Sequence, residues 1–247
     1  MAHIKTLKLQ QPEWHDQLTS TNSVLIERLR GGDSLPHGFI LAARDQTAGR
    51  GRFDRRWETC PGRDLTFSFL YSKSVPFERI VSLPMALAIG VAEYISDLGP
   101  SADVKWPNDV LVNGRKVSGI LAESSANQLV IGIGLNVNMR ALDAEAIDRP
   151  ATSLQIETGR NYEVSDVLDV LLTFLERRLA DWEEGGFNAI SAAWCDRCYQ
   201  LGQKVEVGDG DQLQTGILAG FGTAGQLILR KDSSEEVEIW VGDVAFD

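Results

Sequence analysis

The sequence predicts an α+β protein in two parts, a mixed-sheet unit over residues 1–200 and a small β-barrel over residues 201–247. Two observations carry this. From Ser20 to Tyr199, amphipathic helical stripes are interleaved with short strands, and Asn113-Gly114 is a two-residue hairpin signal between two of those strands. After Leu201-Gly202 the helical period disappears, and short apolar pairs recur between turns rich in glycine and aspartate.

Each element has its own warrant. Ser20-Thr21-Asn22 precedes VLIERLR, so Ser20 or Thr21 caps a helix whose stripe is Val24, Leu25, Ile26 and Leu29, and Gly31-Gly32 ends it. Residues 38–43 (GFILAA) form a short apolar run expected as a buried strand, and 65–71 (LTFSFLY) alternates as another. Leu83, Leu87, Val91, Ile95 and Leu98 fall on one helical face, closed by Gly99-Pro100. Strands are expected at 103–106, 110–112, 116–123 and 129–135. Helices are expected from 164 to about Trp182 and from 187 to 199. In the C-terminal part, Val205 and Val207, Ile217-Leu218, Leu227–Leu229, and Val237, Ile239 and Val241 mark four or five strands. So short a module should pack on the larger one, since it buries little on its own.

Composition narrows the function. The 247 residues carry 43% hydrophobic and 24% charged side chains, a globular balance. A formal net charge of −11 argues against a general nucleic-acid or anionic-membrane surface. The N-terminus has no signal-peptide core, and no stretch reads as the ~18–20 apolar residues of a membrane span. Three cysteines are too few and too odd for a disulfide framework, so a reducing, cytoplasmic setting is expected. His3, His15 and His37 are too scattered for a metal site. Trp182 and Trp240 are expected in the core or at the junction between the two parts.

Against that acidic background, residues 48–57 (AGRGRFDRRW) gather Arg50, Arg52, Arg55 and Arg56, with Gly49 and Gly51 freeing the backbone and Trp57 as an aromatic anchor. A local cation cluster in an acidic chain suits one anionic ligand held at one place. In KWPND (105–109), Pro107 cannot join a ladder, so Asn108 and Asp109 belong at a strand end. There they can cap a turn or serve as hard oxygen donors for magnesium and phosphate. Lys116 opens an otherwise apolar strand, where it can snorkel to the surface or hold a carboxylate or phosphate as that group gains negative charge. Gly119 marks close approach of another backbone or a flat ligand, and the glycines of GIGLNVN (132–138) make room for a ring system against the sheet, with Asn136 at the strand's far end. No third glycine or following helix completes a dinucleotide fingerprint.

Taken together, Ser20-Thr21-Asn22, AGRGR…W, KWPNDVLVNGRKVSGILAE and GIGLNVN resemble the biotin protein ligases, over nearly the whole chain. The resemblance implies a class II synthetase-like catalytic domain with an SH3-like C-terminal barrel. It also implies ATP and biotin as substrates with Mg²⁺, biotinyl-5′-AMP as the intermediate, and a lysine of a biotin carboxyl carrier domain as acceptor. It assigns biotin to Ser20, Thr21, Asn22, Gln46, Gly49, Arg50, Arg52, Lys116, Gly119, Leu121 and Gly134. ATP falls to Arg52, Arg55, Trp57, Asn108, Lys116 and Asn136, the metal to Asn108 and Asp109, and catalysis to Lys116 and Arg52. Phe53-Asp54 stands where the family commonly has Arg-Gly, which lowers the local charge.

Only about 19 residues precede Ser20, so the form expected is the ligase without a DNA-binding domain. Exposed sheet edges would either pair two subunits or dock the acceptor. The rival readings are a lipoate or octanoate ligase or transferase, a biotin-binding module without catalysis, and a thiol–disulfide oxidoreductase using Cys195-Asp196-Arg197-Cys198. That C-x-x-C is expected at a helix end, not at the strand-to-helix junction such chemistry uses.

Overall fold

The structure, a computed structural model, describes residues 8–53, 55–72, 75–208 and 213–245. His3, Asp54 and most of the GDGD turn therefore lie outside the described residues. The chain runs β1 (Glu13–His15), α1 (Thr21–Arg30), β2 (Ile40–Ala43), β3 (Leu65–Tyr71), α2 (Phe77–Ile80), α3 (Leu83–Asp97), β4 (Ala102–Lys105), β5 (Asp109–Val112), β6 (Arg115–Ser125) and β7 (Gln128–Leu135). Helices α4 (Ala141–Glu145), α5 (Leu154–Thr158), α6 (Val164–Gly185) and α7 (Phe187–Arg197) follow. Strands β8 (Lys204–Gly208), β9 (Gln214–Phe221), β10 (Leu227–Arg230), β11 (Glu236–Ile239) and β12 (Asp243–Ala245) complete it.

Strands β1 to β7 form one sheet in the order β1-β2-β3-β7-β6-β5-β4. It is mixed because β1 runs parallel to β2 while the other pairs are antiparallel. The Asn113-Gly114 hairpin is present, with φ of 52° and 72°, the signs a type I′ turn needs. Strands β8 to β12 form a second, antiparallel sheet in the order β11-β10-β9-β8-β12. Val241, expected in its last strand, is exposed at a bend, and β12 begins at Asp243 instead.

Alternation gives the large sheet two different faces. Phe67, Phe69, Ile131, Ile133 and Leu135 point to the main core with α3 and α6. On the other face, Leu70 and Val130 receive Leu25, Ile26 and Leu29 of α1 in a smaller cluster. Further along that face the side chains shrink to Thr66, Ser68, Gly132 and Gly134, so α1 ends there and space opens. Ser20 caps α1 and accepts from Ser23 N, which sets the helix N-terminus at the edge of this space.

Helix α3 is apolar nearly all round because it lies between the sheet and α6. The segment Glu78–Asp97 is in fact long and apolar enough to cross a membrane by composition, which corrects the sequence reading that no stretch is. It is mostly buried inside the fold, which accounts for its composition. The main core continues into the second sheet through Val205, Val207, Leu218, Leu227 and Leu229. Phe221 receives the edges of Phe187 and Trp194. Trp106 Nε1, buried beside a cis Trp106–Pro107 peptide, donates to Gly225 O at 3.0 Å. Replacing Trp106 by Phe leaves that buried carbonyl unpaired and should cost about 1–3 kcal/mol, read by urea denaturation.

Candidate active site

A cavity of about 460 Å³ lies on the glycine-bearing part of the sheet, within the size of small-molecule sites (~300–1,000 Å³). Every residue picked out for substrate or metal lines it except Gly49: Ser20, Thr21, Asn22, Gln46, Arg50, Arg52, Arg55, Trp57, Asn108, Asp109, Lys116, Gly119, Leu121, Gly134 and Asn136. Six cationic and four acidic side chains line it, the reverse of the chain's overall balance.

At one end, the first turn of α1 is tied to the sheet by polar contacts. Thr21 N donates to Gln46 Oε1 at 2.8 Å, and Thr21 Oγ1 lies 3.2 Å from the same oxygen. Ser68 Oγ stands 2.6 Å from both Thr21 Oγ1 and Asn22 Oδ1, with one proton for the two. A Cβ at Gly132 would stand 2.3 Å from Asn22 Oδ1, so that glycine makes room for the asparagine.

The arginine loop is a short hairpin. Arg50 and Arg56 bridge, Gly51 N donates to Arg55 O at 2.7 Å, and Trp57 N donates to Gly49 O at 3.1 Å. Gly49 does its work here rather than on the cavity wall, because a Cβ would come within 2.4 Å of Trp57 O. The loop folds Trp57 back onto the sheet, where a Cβ at Gly134 would meet its indole at 2.3 Å. The bare patch expected to face a ligand ring is thus covered by the protein's own indole, and Trp57 Nε1 is buried with no hydrogen-bond partner among the described residues.

At the opposite end, Lys116 Nζ pairs with Asp109 Oδ1 at 2.6 Å and sits 5.5 Å from the Trp57 ring centroid. Asp109 starts β5 and Asn108 lies in the turn before it, as Pro107 requires. Asn108 Nδ2 donates to Ile120 O, leaving Oδ1 toward Arg52 Nη1 at 3.5 Å. Asn136 Nδ2 is committed to Thr152 O at 2.9 Å. Burial lowers the Lys105 ammonium below its usual range; nearby Asp109 opposes this, while Lys116, Arg149 and Arg55 reinforce it. Among the described residues no three His, Cys, Asp or Glu side chains form a metal cage. One carboxylate and one amide oxygen do suit Mg²⁺ that takes most of its ligands from phosphate and water.

Three partners carried no signal of their own in the sequence. Arg52 Nη1 donates to Asp243 Oδ1 at 2.8 Å and Gly242 O at 3.0 Å, and Arg55 Nη1 contacts Asp243 Oδ2, so the second sheet closes the cavity with an acid. Arg149 lines the wall from the loop after α4, which Lys116 holds through Pro150 O and Thr152 N. Ser68 lies behind the first turn of α1. Cys195 and Cys198 end α7 away from the cavity, and all three thiols are free.

Residues 14–139 match the Biotin/lipoate A/B protein ligase family. The chain is 34% identical to the biotin–[acetyl-CoA-carboxylase] ligase of Paracoccus denitrificans, over 89% of this chain and 95% of that protein. It is also 34% identical to the bifunctional ligase/repressor BirA of Bacillus subtilis over 76% of this chain, and the match spans 59% of that relative's length. Among solved structures, the biotin protein ligase from Aquifex aeolicus in complex with biotin and ATP superposes with a TM-score of 0.83 at 32% identity, covering 96% of this chain and 98% of that one.

Two outcomes follow from this geometry. Asp243→Asn removes the shared carboxylate from half-buried Arg52 and exposed Arg55 and should cost about 1 kcal/mol in urea denaturation at low salt, with a smaller loss in molar salt. Burial pushes the Cys198 and Cys60 thiols up to about 11. Only ~0.1% thiolate then exists at pH 8, so iodoacetamide should label both about 100-fold more slowly than a free thiol. Fast labelling, or reduction of insulin disulfides, would revive the oxidoreductase reading.

Proposed function

Since the chain belongs to the biotin/lipoate A/B protein ligase family, we propose that it is a biotin protein ligase working in two steps. A biotin carboxylate oxygen attacks the α-phosphorus of ATP, the bond to the bridging oxygen breaks, and pyrophosphate leaves. The neutral amine of a lysine on a biotin carboxyl carrier domain then attacks the biotinyl carbonyl. AMP leaves, and the amine proton passes to solvent.

One observation carries this reading: a glycine-bearing sheet patch, covered by the Trp57 indole that the loop carries, adjoins Lys116 and the loop arginines in the same cavity. An apolar, hydrogen-bonding head group suits the first part and a polyanion the second. Thr21 and Gln46 stand ready for the polar edge of biotin's ring, while Leu121, Gly119 and Gly134 line its flat body once the loop withdraws Trp57 from the glycines. Lys116, oriented by its ion pair with Asp109, meets the carboxylate and α-phosphate where negative charge accumulates in the transition state. Arg52 and Arg55 take the phosphates, exchanging their hold on Asp243 for them.

Asn108 and Asp109 would hold Mg²⁺ brought by the nucleotide, which supplies charge neutralisation to the leaving pyrophosphate. Trp57 screens the anhydride from water, and Asn136 anchors the wall beneath the nucleotide. The acid closing the site comes from the C-terminal unit over residues 201–247, so activity needs both parts.

The test is exchange of labelled pyrophosphate into ATP without acceptor, with biotin, lipoate and octanoate in parallel. Biotin-dependent exchange is expected, and exchange with lipoate or octanoate alone would overturn the substrate. Lys116→Met should lower kcat about 10²–10³-fold while the protein stays folded.

A further inference from the structure

Glu123 lies outside the cavity, yet its carboxylate joins three separate elements. It stands on β6 in the face that carries Gly119 and Leu121, and its side chain is 21% exposed. Oε1 pairs with Arg50 Nη2 at 2.8 Å. Oε2 accepts from Arg50 Nη1 at 3.3 Å and from Asn22 Nδ2 at 2.8 Å. The arginine fork is therefore two-pronged, and the remaining capacity of the same carboxylate goes to the first turn of α1. Asn22 is fixed in turn, its Oδ1 by Ser68 and its Nδ2 by Glu123.

Arg50 is the first arginine of the loop and sits where its two arms bridge. A hold on Arg50 sets the base of the loop relative to both the sheet and α1. The tip is held differently, by Asp243 through Arg52 and Arg55. Arriving phosphates compete for the tip arginines. A carboxylate at the base, behind the ring-binding end, meets no such competitor.

We propose that Glu123 is a positioning residue, a fixed carboxylate anchor that holds Arg50 and Asn22 in register so that the loop closes over biotin from one defined base. The inference rests on the biotin-ligase reading, and its tests are chosen so that the two can fail separately.

The first test needs no ligand. Trypsin cuts after arginine, and the loop offers four. In Glu123→Gln, cleavage between residues 50 and 56 of the ligand-free protein should run about tenfold faster than in wild type, with the cutting rate elsewhere unchanged. The second test is kinetic. Biotin KM in pyrophosphate exchange should rise about tenfold while kcat changes less than about threefold, because the anchor acts on ligand closure and not on the reacting atoms. Glu123→Asp, which keeps the carboxylate, should recover part of the biotin KM.

Unchanged loop cleavage and unchanged KM in folded Glu123→Gln would overturn the proposal. So would a uniform loss of Tm and kcat with KM held, which marks a merely structural glutamate. If the wild type shows no biotin-dependent exchange, the ligase reading fails while the trypsin comparison still decides whether Glu123 anchors the loop.

Discussion

A pleated strand can serve a packed core and an open site at once only because its side chains alternate, and the site depends on that alternation in β3 and β7. One set, Phe67, Phe69, Ile131 and Ile133, is buried in the main core that the sheet shares with α3 and α6. The other set changes character along the strand, from Leu70 and Val130 beneath α1 to Thr66, Ser68, Gly132 and Gly134 beneath the cavity. A slip of one residue would put phenylalanines into the cavity and glycines into the core. The same register that stabilises the protein therefore makes the space for its ligand.

Charge is arranged on top of that surface. The arginine loop brings repelling guanidiniums together, and the fold answers with carboxylates from distant strands: Glu123 from β6 at the base and Asp243 from β12 at the tip. Lys116 has its own, Asp109. Arg50, Arg52, Arg55 and Lys116 are thus each oriented by a carboxylate of the fold. Trp57 couples the two layers, since it is carried by the loop and rests on the glycine patch.

The larger elements were legible because their signals are local. The long helices α3, α6 and α7 and the strands β3, β6 and β7 appear within a few residues of the ranges expected. Elements shorter than two turns or four residues, such as α2, α4, α5, β1 and β12, were not legible, because no period can repeat within them. Val241 looked like strand and is a bend, and an exposed apolar residue beside Gly242 has no local mark that tells the two apart.

By itself, the sequence determined the two-part α+β plan, the hairpin at Asn113-Gly114, the placing of Asn108 and Asp109 at a strand end, and the residues that gather at the cavity. The first three follow from turn chemistry, proline geometry and hydrophobic periodicity, which act between near neighbours, and the cavity residues from the resemblance to the biotin protein ligases. Tertiary structure alone decided what each of those residues touches. Arg52 and Asp243 are 191 positions apart and Asn22 and Glu123 are 101, distances over which no periodicity carries information. Glycine at 134 signals a close approach, but whether a ligand or an indole makes it depends on how the loop folds back. That is settled by the steric fit of Gly49 against the Trp57 carbonyl and by the carboxylates that hold the loop's arginines.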